Sequence, residues 1–219
     1  MSAPNQLDGP RLPPRSGVAR SLLVLLHGYG ADGRDLMDLA HVWSDILPDT
    51  AFVAPHAPDP CGQAPVGRQW FALDDLDLRR LALGVEGALP MLDRFLDAEC
   101  TRWGVAPDRL ALAGFSQGTM MALGVMSRRS TPPAAVIGFS GLLAHPPAQG
   151  SAKPCPVCLI HGTEDSLVPP EALFASAYGL AAAGIPAEWH LCPGLGHGID
   201  ARGLSIAGSV LADALAPKP

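Results

Sequence analysis

Leu110-Ala111-Leu112-Ala113-Gly114-Phe115-Ser116-Gln117-Gly118 decides how this chain folds. An apolar run leads into a serine with glycine two positions away on either side. A helix-favouring run from Thr119 to Met126 follows. A serine so placed between a strand and a helix reads as a nucleophile elbow, a turn tight enough that only hydrogen fits at the flanking side-chain positions. The turn holds the hydroxyl proud of the sheet, where a base and a carbonyl can both reach it.

Outward from this turn, apolar strand patterns alternate with amphipathic helical ones. Ser21 to Leu26 is continuously apolar, as a strand buried on both faces must be. Short strands are expected at Ala51 to Ala54, Ala134 to Phe139, Val157 to Ile160 and Ala187 to Leu191. Helices are expected after the Gly-rich loop at His27 to Gly33, from about Leu78 to Trp103 with a kink or break at Pro90, after Ser116, from Pro170 to Ala183 and from Ile199 to Leu215. This alternation predicts an α/β class with a mostly parallel central sheet flanked by helices: the α/β-hydrolase fold. Residues 1–20, with four prolines and four charges, read as a loose N-terminal arm, and 21–219 as a single domain. About 17 residues separate the strands ending at Phe139 and starting at Val157, which leaves no room for a helical cap domain. Residues 55–77 form a long loop punctuated by Pro and Gly, and a loop this long inside a compact domain is commonly functional.

Of 219 residues, 48% are hydrophobic and 16% charged, an ordinary globular balance. The net charge of −6 argues against a nucleic-acid partner. No stretch is apolar enough to span a membrane. The N-terminal residues do not resemble a signal peptide, and five cysteines, an odd number, suggest reduced thiols in the cytoplasm. Cys155-Pro156-Val157-Cys158 has redox spacing but enters a strand rather than preceding a helix, which disfavours redox or metal chemistry.

A serine nucleophile needs a base within hydrogen-bond reach, and the base needs a carboxylate to set its tautomer. In this fold the order is Ser, acid, His, each on a loop after a strand. His197 meets the rule, in the Gly-rich loop after the last expected strand; His190 falls inside a strand, and His161 comes too early. The acid follows the strand ending at His161, where Glu164 and Asp165 are adjacent and spacing alone does not separate them. Asp200 is expected to cap the final helix instead. One oxyanion donor is the backbone N–H of Gln117. The second belongs to the loop His27-Gly28-Tyr29-Gly30, at Tyr29 or alternatively Gly28. His27 is expected to orient that loop through hydrogen bonds.

Taken in order, Leu26 to Gly33, Trp70-Phe71, Gly114 to Gly118, His161 to Asp165 with Val168-Pro169, and Gly196-His197 resemble the phospholipase/carboxylesterase family, which includes acyl-protein thioesterases and small bacterial carboxylesterases. The resemblance spans roughly residues 21–215. It implies a serine carboxylesterase working through an acyl-enzyme, with no metal or cofactor and a small-molecule ester as partner; the missing cap, independently of the family, predicts an open cleft suited to short to medium acyl esters. It implies Ser116, Asp165 and His197 as the triad, and Tyr29 and Gln117 as the oxyanion hole. It also implies a substrate pocket bordered by Trp70, Phe71, Leu73, Leu142 and Val168, although Trp70 would equally serve as a packing anchor. His145 follows Leu142 and Leu143 and is a weaker candidate for touching substrate. The alternatives are an acyl-(protein) thioesterase, a lysophospholipase or a non-catalytic binding protein on the same scaffold. The apolar residues near Trp70 fit a pocket or a homodimer contact.

Overall fold

The computed structural model describes residues 7–62, 64, 66–147 and 155–216. Its strands are β1 (Arg11–Leu12), β2 (Ser21–Leu26), β3 (Thr50–Val53), β4 (Asp59–Pro60), β5 (Arg68–Gln69), β6 (Leu110–Phe115), β7 (Ala135–Phe139), β8 (Val157–Gly162) and β9 (Ala187–Cys192). Its helices are α1 (Met37–Ser44), α2 (Leu78–Trp103), α3 (Gln117–Arg128), α4 (Glu171–Ala182) and α5 (Ala201–Leu215). One sheet runs in the order β1-β3-β2-β6-β7-β8-β9; β4 and β5 form a separate hairpin. Every neighbouring pair in the large sheet is parallel except β1 with β3.

The unbroken apolar strands follow from two-sided burial. Leu22, Val24 and Leu26 pack with α2, α3 and α4, while Leu23 and Leu25 pack with α1 and α5 on the other face. The same alternation divides β6, with Leu110 and Leu112 on the first face and Ala111 and Ala113 on the second. This is the α/β-hydrolase fold anticipated from the sequence.

Two expectations are corrected. Residues 7–20 are not a loose arm. Leu7 is buried, and β1 closes the β3 edge with Arg11 opposite Val53. The Arg11 guanidinium also grips Glu99 of α2 through Nε at 2.9 Å and an amino group at 2.7 Å. Charge and proline suggested looseness because the pairing partners lie about 40 and 90 residues away. Residues 1–6 lie outside the described residues. Secondly, Pro90 does not end α2, which is continuous across it. Pro90 is exposed, as is Glu86, so the carbonyl left without its N–H partner can turn to water. Residues 140–147 and 155–156, the described part of the interval before β8, contain neither helix nor strand.

The elbow glycines are sterically required. A Cβ on Gly114 would lie 2.3 Å from the Gly118 carbonyl oxygen, and one on Gly118 would lie 1.8 Å from that of Leu26. Both neighbours are backbone and cannot swing aside. Gly118→Ala is therefore expected to lower unfolding free energy by about 3 kcal/mol, measured by urea denaturation. A midpoint within error of the parent would show that the helix and β2 separate easily.

After β2 the chain turns through a 3-10 helix at Gly33–Leu36, capped by Asp32. The Asp32 carboxylate accepts from the Arg34 amide at 2.8 Å, and Asp35 reciprocates on the Asp32 amide at 2.7 Å. The Arg34 side chain beside it and the amide bond hold its carboxyl down at about 2. A carboxyl with a lowered folded-state pKa contributes stability above its unfolded pKa, near 4, and loses it as pH falls toward 2. Arg34 is exposed, so the contribution is roughly 1 kcal/mol after screening. Between about pH 4 and 2 the parent should lose thermal stability more steeply than Asp32→Asn; parallel melting curves would remove Asp32 from the acid response.

Candidate active site

β6 ends at Phe115, and α3 begins at Gln117; Ser116 between them has φ 53° and ψ −114°. Positive φ is strained for a side-chain-bearing residue, and such strain concentrates at functional sites. Here the surroundings enforce it. The Ser116 amide donates to the Phe139 carbonyl at 2.9 Å, and the Ser116 carbonyl accepts from Thr119 at 3.0 Å. The Thr119 hydroxyl bonds the carbonyls of Gly114 and Phe139 at 2.8 and 2.9 Å, riveting the first turn of α3 to β6 and β7.

The loop after β8 carries Asp165, and the loop after β9 carries His197. Backbone bonds sew the two together, from Thr163 to the Cys192 carbonyl at 3.1 Å and from Glu164 to that of Leu195 at 2.9 Å. Asp165 Oδ2 lies 2.8 Å from His197 Nδ1, and Oδ1 accepts from the amides of Leu167 and Val168 at 2.9 Å each. The carboxyl is buried, which pushes its pKa up; the Val168 amide and the His197 contact outweigh that effect, and the net displacement is downward. An ionised Asp165 accepts the His197 Nδ1–H, which leaves Nε2 free as a base. The His197 ring lies 4.9 Å, centroid to centroid, from that of Phe115, the residue before Ser116. No hydrogen bond joins the Ser116 hydroxyl to His197 among the described residues; such contacts commonly tighten only when substrate binds. Glu164, the neighbouring candidate acid, is exposed.

Gly28 abuts the elbow so closely that a Cβ there would lie 3.3 Å from the Ser116 Cβ. No described carbonyl accepts from the amides of Tyr29 or Gln117. His27 orients this loop as expected. Its Nε2 accepts from the Ala57 amide at 3.0 Å, so Nδ1 carries the proton toward the Gly28 carbonyl at 2.8 Å. Burial lowers its pKa and favours this neutral form. Asp200 caps α5, accepting from Gly203 at 2.7 Å.

Three side chains escaped the sequence reading. Gln117, fully buried, bolts the 55–77 loop to the elbow: its Oε1 accepts from the Trp70 amide and its Nε2 donates to the Phe71 carbonyl, each at 2.9 Å. Ser140, at φ 46°, donates to the Gly198 carbonyl at 3.0 Å and ties β7 to the His197 loop. His161 stands beside Asp165, with Nε2 3.2 Å from Oδ2.

The residues expected around a substrate pocket are mostly core. Trp70 is 2% exposed and acts as an anchor, donating Nε1–H to the His27 carbonyl at 2.9 Å. Phe71 is buried against Gly84, where a Cβ would come within 2.4 Å of its ring. Leu142 and Val168 are buried in the same cluster, and Leu73 is half-buried against it. His145 instead borders a groove of about 370 Å³ between α2 and α3, floored by Val85, Leu89, Met120 and Leu143; Ser116 is not among its lining residues. Cys155 and Cys158 point to opposite faces of the sheet, and burial raises their thiols to about 11 and 12. They are not a redox pair. Among the described residues, no helix is long and apolar enough to cross a membrane.

Residues 11–214 match the phospholipase/carboxylesterase family. The chain belongs to this family. It is a carboxylic ester hydrolase by class. Among relatives of this family member, esterase YpfH of Escherichia coli (strain K12) is 29% identical over 189 residues, covering 86% of this chain and 81% of the relative. Acyl-protein thioesterase 1 of Gibberella zeae is 26% identical over 224 residues, covering 94% and 95%. The crystal structure of esterase PE8 superposes with a TM-score of 0.91 at 44% identity, covering 96% of this chain and 100% of that one.

Proposed function

We propose that this family member is a serine carboxylesterase working through Ser116, His197 and Asp165. The observation that carries the reading is the Asp165–His197 hydrogen bond at 2.8 Å, with the imidazole packed on the residue preceding Ser116. Ser116 Oγ attacks the ester carbonyl as its proton passes to His197 Nε2. The amides of Tyr29 and Gln117 stabilise the oxyanion, the latter at the positive end of α3. Collapse expels the alcohol, which takes the proton from His197, and leaves an acyl-enzyme. Water then gives a proton to His197 and its oxygen to the acyl carbon; the second collapse returns the proton to Ser116 and releases the acid. No step calls on a metal or cofactor.

The short interval between β7 and β8 supports an open cleft suited to short and medium acyl chains. The similarity to an acyl-protein thioesterase supports thioesters as a second substrate class, which a matched ester and thioester panel would rank. Five unbridged, buried thiols fit a reducing compartment such as the cytoplasm. A homodimer would cover the exposed Leu76, Leu78 and Leu83 at the start of α2. The test is covalent labelling with a fluorophosphonate, followed by mass mapping of the adduct. An adduct on Ser116 is expected; a folded protein that stays unlabelled there would overturn the reading.

A further inference from the structure

His161 lies one residue before the end of β8, four residues before Asp165, and is 1% exposed. An apolar side chain would fill this core position at lower desolvation cost, since a buried imidazole is stable only when its polar atoms are bonded. Its Nε2 faces the Val168 carbonyl at 2.8 Å and Asp165 Oδ2 at 3.2 Å. Both are acceptors, so Nε2 carries the proton; the N–H donates to the Val168 carbonyl, and Asp165 Oδ2 stands beside it in close contact. The Val168 amide in turn donates to Asp165 Oδ1. His161, Val168 and Asp165 thus close a circuit in which each group fixes the next. Asp165 Oδ2 bonds His197 on the Gly-rich loop and lies 3.2 Å from His161 Nε2 on the rigid strand.

We propose that His161 is a positioning residue for the triad, holding the Asp165 carboxylate in the plane that presents Oδ2 to His197. The proposal rests on the triad reading above. During turnover the His197 ring alternately gains and gives up a proton, so it is a poor anchor for the group that must orient it. His161 takes no part in the proton transfer. Its N–H holds the Val168 carbonyl, and with it the Val168 amide that fixes Asp165 Oδ1, while its ring stands against Oδ2 and keeps the carboxylate from following the moving His197. Small misplacement of reacting groups costs rate rather than binding, so the signature belongs in kcat.

The test compares His161→Leu, which keeps bulk and loses the donor, with His161→Gln, whose amide N–H can reach the Val168 carbonyl. His161→Leu is expected to lower kcat roughly 10- to 100-fold with KM unchanged, and His161→Gln to restore kcat to within about threefold of the parent. On an Asp165→Asn background, His161→Leu should cost nothing further, because its effect passes through the carboxylate. If His161→Leu does not fold, His161→Asn, whose shorter amide falls short of the Val168 carbonyl, takes its place in every comparison. A folded His161→Leu with parental kcat would overturn the proposal, as would losses confined to KM, a Gln variant as slow as Leu, or full additivity with Asp165→Asn. Failure of the triad reading is separate: it would show as parental turnover in Ser116→Ala.

Discussion

Replacing Ser116 with alanine is expected to lower kcat about a millionfold, roughly 8 kcal/mol of barrier, and to abolish fluorophosphonate labelling. The protein should stay folded. At φ 53° alanine meets the same backbone strain as serine, and the Ser116 amide and carbonyl bonds are untouched by the change. Thermal melting should therefore superpose on the parent, so that lost turnover reports lost nucleophile. Substrate affinity should change little, because the oxyanion amides and cleft walls remain. Turnover within a factor of about ten of the parent would mean that water attacks directly or that another residue is the nucleophile.

Asp165→Asn is expected to be the next largest loss, about 10⁴-fold in kcat with little change in KM. The surrounding donors explain why so small a change is so costly. The amides of Leu167 and Val168 both point at Oδ1. They force the asparagine to present its oxygen there and its NH₂ to His197. Facing a donor, His197 must accept at Nδ1 and carry its proton on Nε2, where it can no longer take one from Ser116. The same NH₂ opposes the His161 N–H, so some loss of stability accompanies the loss of rate. Steady-state kinetics across pH checks the prediction. Activity recovering at high pH without added base would contradict the tautomer argument.

How much of this was legible in the sequence follows from the range of each interaction. The central strands stood out because two-sided burial demands unbroken apolar runs, as in Leu22 to Leu26. Ser116 and His197 stood out as candidates because this fold places chemistry on successive strand-end loops, whereas spacing did not separate Asp165 from Glu164, and only the resemblance chose between them. The roles of Gln117, Ser140 and His161 were not readable. Each depends on a side chain meeting backbone or carboxylate from another element, and no periodicity records such meetings. The same reason hides β1: Arg11 and Leu12 look like any polar, proline-bordered stretch until β3 offers them an edge. Trp70 was visible as special, but an indole signals a large buried surface before it signals a ligand.

The Gln117 bolt separates two demands on the 55–77 segment. At Trp70 and Phe71 that segment is clamped to the nucleophile turn through both halves of one amide, so change there disturbs the reaction itself. Beyond Phe71 the clamp is gone, and Ala72, Asp74, Asp75 and Leu76 lie open to solvent. Substitutions, and even a changed length, can accumulate at those positions without moving the serine. The stretch beyond the bolt is free to vary while the turn that Gln117 clamps stays as it was.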